Sequence, residues 1–275
     1  MSEMDLRRFL EEDVGSGDLT TNIFVPGISG RACIVCEEDA VVAGLEEAAE
    51  IFSMLGVASR QLVADGEKVP KDTIVMMLEG PLRGILTAER TALNFLMRMS
   101  GIATETNSVV TIMSKKDPQL RIAGTRKTTP GFRSFEKKAV ALGGGWPHRN
   151  GLYDMVLVKD NHIVACGGID NALELFGEIP DGIRTEIEVS NIKEGLLAAK
   201  RGADIIMADH MSPSDTKKLR KKARSVNENV LIEASGNITK ENVIDYANCA
   251  DIVSLGSLTH SPMAVHFSLD VERFP

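Results

Sequence analysis

Six short apolar runs between Arg121 and Ser257 decide the fold: RIAGTRK (121–127), DMVLVKDN (154–161), RTEIEVS (184–190), DIIMADH (204–210), VLIEASGN (230–237) and DIVSLGS (251–257). Each is β-branched or aliphatic at its centre and ends in a polar residue or glycine, which is how a strand buried on both faces reads. The residues that end them, Arg126, Lys159, Glu188, Asp209, Ser235 and Gly256, stand 33, 29, 21, 26 and 21 positions apart. That spacing leaves room for a helix after each strand. Helix signals fall in the gaps: Ser212-Pro213 with Asp215 in the first turn, Thr239 ahead of ENVIDYA, and Lys200-Arg201-Gly202 closing LLAAKRG. Alternating β and α elements imply a parallel sheet, and in barrels of this kind the C-terminal strand ends carry the active site. Six runs are too few for an eight-fold barrel, so the pattern predicts an incomplete one.

Outward from this core, residues 1 to 106 mix element types. Met4–Asp13 reads as a short helix, ACIVCEEDAVVAG as a strand leading into an amphipathic helix from Leu45 to Leu55, and the segment from Gln61 to Leu86 as short strands with Gly and Pro turns. Thr87–Ser100 is strongly helical. Cys33 and Cys36 fall on that first strand, three apart and so on opposite faces, and no second pair completes a zinc site. All four cysteines read as structural thiols.

Composition narrows the function. Of 275 residues 43% are hydrophobic and 25% charged, the balance of an ordinary globular chain. The net charge of −8 argues against nucleic acid or an anionic membrane as partner. No apolar run approaches the ~18 residues of a membrane span, and MSEMDLRRFLEEDVG lacks a signal-peptide core, so a cytoplasmic protein is expected. The charge is uneven, however. Arg121–Asp160 holds eight Lys/Arg against three Asp/Glu, a +5 island in a body of −13. Such an island suits a small anionic ligand.

Read around the strand ends, Arg126, Lys127, Arg149 and Lys159 supply cations and Glu188 and Asp209 supply carboxylates. Two small-residue turns follow, Ser235-Gly236-Asn237 and Gly256-Ser257. Glycine lets backbone N–H groups approach a phosphate closely, and barrel phosphate sites commonly follow the last strands. Two carboxylates beside a phosphate call for a cation, which makes Glu188 and Asp209 candidate ligands for Mg²⁺. Arg groups, with His148, suit planar carboxylates. The set describes a site for a phosphorylated sugar, a divalent ion and a carboxylated second substrate.

The segments EDVGSGDLTT (12–21), AERTALNFLMRMSGIAT (88–104), TRKTTPGFR (125–133), GGGWPHRNGL (143–152), VLVKDNHI (156–163), EIEVS (186–190), EASGNIT (233–239) and SLGSLTHS (254–261) resemble the quinolinate phosphoribosyltransferases nearly end to end. The resemblance implies an N-terminal α/β sandwich over 1–106, with 260–275 packing back on it, and an incomplete, about seven-stranded α/β barrel over 107–259. It implies a homodimer, or a multiple of dimers, with the active site at the interface. The implied reaction joins quinolinate to 5-phosphoribosyl-1-pyrophosphate, giving nicotinate mononucleotide, pyrophosphate and CO₂ in NAD biosynthesis. Arg126, His148, Arg149 and Lys159 would hold the quinolinate carboxylates, with Thr125 in the same loop and Arg90 reaching in from a partner subunit. Lys127 and Lys159 would neutralise pyrophosphate, while Glu188 and Asp209 would serve the ribose hydroxyls and Mg²⁺. Ser235, Gly236 and Asn237, with Leu255, Gly256 and Ser257, would hold the 5-phosphate near His260.

Gly124, Pro147, Ser190, Ala208, His210 and Asn237 depart from the family's usual pattern. Asn tolerates positive φ, so the phosphate turn can survive at Asn237. His210 could alter the metal or ribose contacts or could face solvent. Pro147 leans towards a homologue associated with molybdenum transport, and Lys159 leans back. A non-catalytic metabolite-binding protein would be expected to have lost one of the rim charges, all of which are present. Trp146 reads as packing rather than as a stacking platform, His162 as a residue that orients its loop, and Lys217–Lys222 with Arg224 as a solvated helix face.

Overall fold

The computed structural model describes residues 6–272, so Met4 of the first expected helix and both extreme ends of the expected domain ranges lie outside it. Two compact units result, one built from the residues up to Glu105 together with those from Pro262 onward, the other from Thr106–Ser261.

The first unit opens with helices α1 (Arg7–Val14) and α2 (Leu19–Phe24), the latter capped by the Asp18 carboxylate, which accepts the Thr21 N–H at 2.9 Å. Then come β1 (Ser29–Cys36), β2 (Ala40–Val41), α3 (Leu45–Met54), β3 (Ala58–Gln61), β4 (Lys68–Val69) and β5 (Thr73–Pro81). A long helix, α4 (Leu82–Ser114), crosses the division between the units. The strand reading of 61–86 therefore stops at Pro81. Pro81 sits before the first helical residue, and PLRGIL opens the helix, which runs well past both ends of Thr87–Ser100. The final strand, here β12 (Phe267–Val271), pairs antiparallel with β1 in a four-stranded sheet of order β12-β1-β5-β3. Ala32, Ile34 and Cys36 alternate inward along β1, leaving Cys33 on the other face, and all four cysteines are free thiols.

The second unit is the parallel one. Its strands are β6 (Arg121–Ala123), β7 (Val156–Val158), β8 (Thr185–Val189), β9 (Ile205–Asp209), β10 (Leu231–Ser235) and β11 (Ile252–Ser254), in the order β6-β11-β10-β9-β8-β7. Every one of the six runs is a strand. A single parallel bridge between Ala123 and Trp146 adds to the outer edge of β6, so the described residues carry six laddered strands where about seven were expected. Gly143–Gly145 precede Trp146 and Pro147 follows it without an N–H to donate, so no ladder can extend.

The connecting helices are α5 (Arg133–Leu142), α6 (Asp160–Ala165), α7 (Ile169–Glu174), α8 (Ile192–Lys200), α9 (Pro213–Arg224) and α10 (Ser257–His260). Ser212 caps α9 by accepting the Asp215 N–H at 3.1 Å, with Pro213 at the first helical position, as its sequence signals. The segment after Thr239 forms only a 3₁₀ turn, Val243–Tyr246. Ile187, Val189, Ile206, Ile232, Ala198 and Leu219 make the sheet-to-helix core. Gly195 lets α8 approach α9, since a Cβ there would stand 2.4 Å from Leu219 Cδ1. Arg220 and Arg224 are not simply solvated: both reach the Asp251 carboxylate, at 2.6 and 2.7 Å.

Candidate active site

Parallel register aligns the strand ends. Val158 lies beside Ile187, Glu188 beside Met207, and Asp209 beside Ser235, so residues scattered over a hundred positions share one rim. There the chain encloses a cleft of about 570 Å³ lined by Thr125, Arg126, Lys127, His148, Arg149, Lys159, Glu188, Asp209, Ser235, Gly236, Asn237, Gly256, Ser257 and His260. The expected residues of this unit are thus brought together, with Leu255 the exception: it is buried just behind the turn, 1% exposed. Arg90 belongs to the other unit, where it is exposed on α4 and lies 3.9 Å from Glu89.

The island of positive charge is divided by its neighbours. Arg126, Lys127, Arg149 and Lys159 face the cleft, whereas Arg121 begins β6 at the opposite ends of the strands. Lys137 is buried and donates to the Pro147 carbonyl, which ties α5 to the loop just before His148. Burial and the nearby Arg133 hold its ammonium down to about 8. This anchoring lysine was not singled out from sequence, where it reads as one more charge on a helix. Arg133 braces the same region, donating to Thr128 Oγ1 and the Asn150 carbonyl. The 125–127 loop is held by Thr259 Oγ1, which donates to the Lys127 carbonyl at 2.8 Å.

Lys159 and Glu188 form an ion pair at 2.7 Å, the ammonium half-exposed and the carboxylate largely covered. His162 accepts the Lys159 N–H on Nδ1 at 2.9 Å, so it orients its loop as expected. Arg126 Nε is shielded from solvent and has no hydrogen-bond partner, a donor aimed at something the protein does not supply. At the phosphate turns Gly236 has φ +94° and Asn237 φ +52°, the left-handed geometry expected of that Asn. At Gly256 an added Cβ would lie 3.1 Å from both His260 and Lys127, so only glycine leaves this wall open. His210 keeps an exposed side chain, 56% accessible, but not a freely turning one. With φ +52° it lays its ring over Gly236, where a Cβ would meet the ring at 2.7 Å, and puts Nε2 3.8 Å from Asp209 Oδ2.

Next to Arg149 is a buried polar cluster of His148, Glu186, Glu233 and Ser254, of which His148, Glu233 and Ser254 border the cleft. His148 adopts φ +58°; its Nε2 is 3.0 Å from Glu233 and 3.3 Å from Glu186, and its Nδ1 accepts the Arg149 N–H at 2.8 Å. Ser254 donates to the other Glu233 oxygen at 2.6 Å, while neither oxygen of Glu186 has a hydrogen-bond partner. A histidine and two carboxylates this close could hold a metal, but an acceptor at Nδ1 puts the ring proton on Nε2, which then donates and cannot ligate. Burial disfavours the imidazolium, yet Glu186 and Glu233 outweigh it and push His148 up to about 9, while burial and Glu233 push Glu186 up to about 7. The cluster thus retains a proton beyond the one on Nε2. On Nδ1 it would displace the Arg149 N–H, so Glu186 is where it sits. Trp146 packs on Ala123, Met155, Ile205 and Ile252, with its ring 4.5 Å from that of His148, inside the barrel rather than over the rim.

No three of the cleft's own carboxylates and imidazoles converge closely enough to cage a metal among the described residues; the convergent trio is the buried one below. Glu188 and Asp209 present to the cleft the hard carboxylate oxygens that a Mg²⁺ takes.

Comparison with known proteins gives one answer. Residues 18–100 match the N-terminal domain model, and residues 102–270 the C-terminal domain model, of quinolinate phosphoribosyl transferase. The chain is 40% identical to a Methanocaldococcus jannaschii protein named probable nicotinate-nucleotide pyrophosphorylase (carboxylating), covering 98% of this chain and 96% of that one. It is 36% identical to the nicotinate-nucleotide pyrophosphorylase (carboxylating) of Rattus norvegicus, covering 87% and 81%. The solved nicotinate-nucleotide pyrophosphorylase of Francisella tularensis superposes with a TM-score of 0.90 at 36% identity, over 97% of this chain and 94% of that one.

Proposed function

The chain belongs to the quinolinate phosphoribosyltransferase family, and from that premise we propose that the cleft at the ends of β6–β11 is where it works. It is a pentosyltransferase, the carboxylating nicotinate-nucleotide pyrophosphorylase of NAD biosynthesis, converting quinolinate and 5-phosphoribosyl-1-pyrophosphate to nicotinate mononucleotide, pyrophosphate and CO₂. The observation that carries the placement is the convergence of four cations, two carboxylates and two glycine turns on one cleft, with Arg126 Nε buried and unpaired.

In this reading Arg126, Arg149 and Lys159 hold the two substrate carboxylates and thereby aim the ring nitrogen at the anomeric carbon. The turns at 235–237 and 255–257 fix the 5-phosphate through backbone N–H groups, and His260 closes that wall. Glu188 and Asp209 accept from the ribose hydroxyls. As the nitrogen–carbon bond forms and the bond to pyrophosphate breaks, Lys127 and Lys159 neutralise the departing oxygens. Glu188 and Asp209 would hold Mg²⁺, which would supply positive charge to stabilise the leaving pyrophosphate. Catalysis is then orientation plus electrostatic stabilisation, with no side-chain nucleophile. The quaternised ring takes up the electron pair as CO₂ leaves, and the ring carbon then accepts a proton.

The working assembly in this reading is a homodimer or a multiple of dimers. Support comes from the exposed Arg90, which has the chemistry to complete a partner's carboxylate site, and from α2, which leaves Leu19, Ile23 and Phe24 at least 73% exposed. A cytoplasmic setting is consistent with four free thiols, and no helix among the described residues is long and apolar enough to cross a membrane.

The test is release of labelled CO₂ from carboxyl-labelled quinolinate. Release that requires both phosphoribosyl pyrophosphate and Mg²⁺ is expected, with chelation stopping turnover. Equal use of nicotinate, which has one carboxylate fewer, would overturn the substrate assignment.

A further inference from the structure

The chemistry at the rim leaves a second set of groups unused. Ser254, Glu233 and His148 form a continuous hydrogen-bonded line, Ser254 Oγ to Glu233 at 2.6 Å and His148 Nε2 to Glu233 at 3.0 Å, ending where His148 Nδ1 accepts the Arg149 N–H at 2.8 Å. Every member is buried: Ser254 is 5% exposed, Glu233 0%, and His148 and Arg149 8% each.

Three features argue that the line exists for the loop rather than for general stability. First, His148 is held at φ +58°, a conformation a non-glycine residue keeps only where its surroundings enforce it. Second, both ring nitrogens are engaged within the protein, Nε2 on Glu233 and Nδ1 by the Arg149 N–H, so the ring is fixed at both ends. Third, the line connects separate parts of the site. Glu233 lies two residues before Ser235 and Ser254 two residues before Gly256, so both strands that carry the phosphate turns are joined to the loop that carries Arg149. Lys137 pins the Pro147 carbonyl on the other side of the same residue.

We propose that Glu233 is a positioning residue: through His148 it sets the backbone at 148–149 and aims the Arg149 guanidinium into the cleft. The inference rests on the reading of Arg149 as a carboxylate contact. Glu233 borders the cleft, but its two oxygens are taken by Ser254 and His148. Its effect is on how well a dicarboxylate is held, and therefore on discrimination between quinolinate and a pyridine bearing one carboxylate.

The experiment compares Glu233→Ala, Glu233→Gln and Ser254→Ala with the parent in steady-state assays varying quinolinate and phosphoribosyl pyrophosphate separately. Loss of one hydrogen bond to a charged group corresponds to about tenfold or more in affinity. Glu233→Ala should therefore raise KM for quinolinate about tenfold or more, change KM for phosphoribosyl pyrophosphate by less than about threefold, and lower kcat less than it raises the quinolinate KM. Glu233→Gln keeps an acceptor for His148 Nε2–H and should recover most of the loss. Ser254→Ala should fall between. If both KM values rise together, or Glu233→Gln is as damaging as Glu233→Ala, the residue is merely structural and the proposal fails.

A readout independent of turnover is ¹⁵N NMR of histidine-labelled protein. The His148 signal, assigned by its change in Ser254→Ala, should show protonated Nε2 and unprotonated Nδ1. A proton on Nδ1 overturns the proposal even if Glu233→Ala fails to fold. The spectrum also separates the two claims: an intact line in a protein that ignores quinolinate would fault the assigned reaction, not the line.

Discussion

The Lys159 ammonium, just past the end of β7, lies 2.7 Å from the Glu188 carboxylate on the neighbouring strand β8. The pair spans the two halves of the site, joining the cations assigned to the carboxylated substrate to the carboxylates assigned to ribose and metal. The proposed reaction requires this pair to open. An arriving polyanion competes with Glu188 for Lys159, and a cation competes with Lys159 for Glu188, so the residues exchange partners as the substrates fill the cleft.

Because the two act on each other, their substitutions should not add. Lys159→Ala and Glu188→Ala are each expected to lower kcat/KM by about 10²-fold or more, and the double variant by clearly less than the product. A double-mutant cycle in steady-state kinetics measures this, and full additivity would mean the ion pair has no part in the reaction.

Arg149 is 8% exposed, and burial with the nearby Arg126 lowers its pKa against the opposing pull of Glu186, Asp154 and Glu233. Arg149→Ala should remove a bidentate partner worth ~1.5–3 kcal/mol or more and abolish useful quinolinate binding while leaving the circular dichroism spectrum unchanged. Unaltered turnover in that variant would refute its role.

Stability should respond most sharply far from the chemistry. A Cβ on Gly101 of α4 would stand 2.1 Å from the Met263 carbonyl oxygen, a backbone atom that cannot move aside cheaply. Gly101→Ala is therefore expected to destabilise the protein by roughly 1–3 kcal/mol or more despite its better helix propensity. Urea unfolding midpoints would show it, and a variant more stable than the parent would contradict the close approach.

The buried cluster also predicts a pH dependence. Glu186 and Glu233 outweigh burial to push His148 up to about 9, and the extra proton this cluster retains, placed on Glu186, stabilises the fold fully below about pH 6.5 and is lost as pH rises towards 9. Stability should fall by up to roughly 3 kcal/mol across that window. Lys137, held down to about 8, works the other way above that pH, so the fall should be steepest between about pH 6.5 and 8. His148→Asn, which keeps a residue tolerant of positive φ, should flatten the curve; an unchanged slope in unfolding free energy against pH would exclude the cluster as its source.

The six barrel strands were legible because a strand covered on both faces must be apolar throughout its length, and polar residues can return only where it ends. That one constraint also exposed Arg126, Lys159, Glu188, Asp209, Ser235 and Gly256, since groups that must meet a ligand sit at those ends. Asn237 was legible as well, because few residues other than glycine accept its φ of +52°. Other features carry no local pattern. A Glu at 233 in the middle of an apolar strand looks like a defect until Ser254 and His148 are seen to satisfy it. Lys137 looks like surface charge until the Pro147 carbonyl is beside it, and Trp146 reads as a rim residue until Ala123, Ile205 and Ile252 surround it. Periodicity and composition, being properties of neighbours along the chain, thus determined the strands, their order of chemistry and the location of the rim. Which cations face the cleft and which way the His148 ring points depend on partners dozens of residues away, and only tertiary packing brings those within hydrogen-bonding distance.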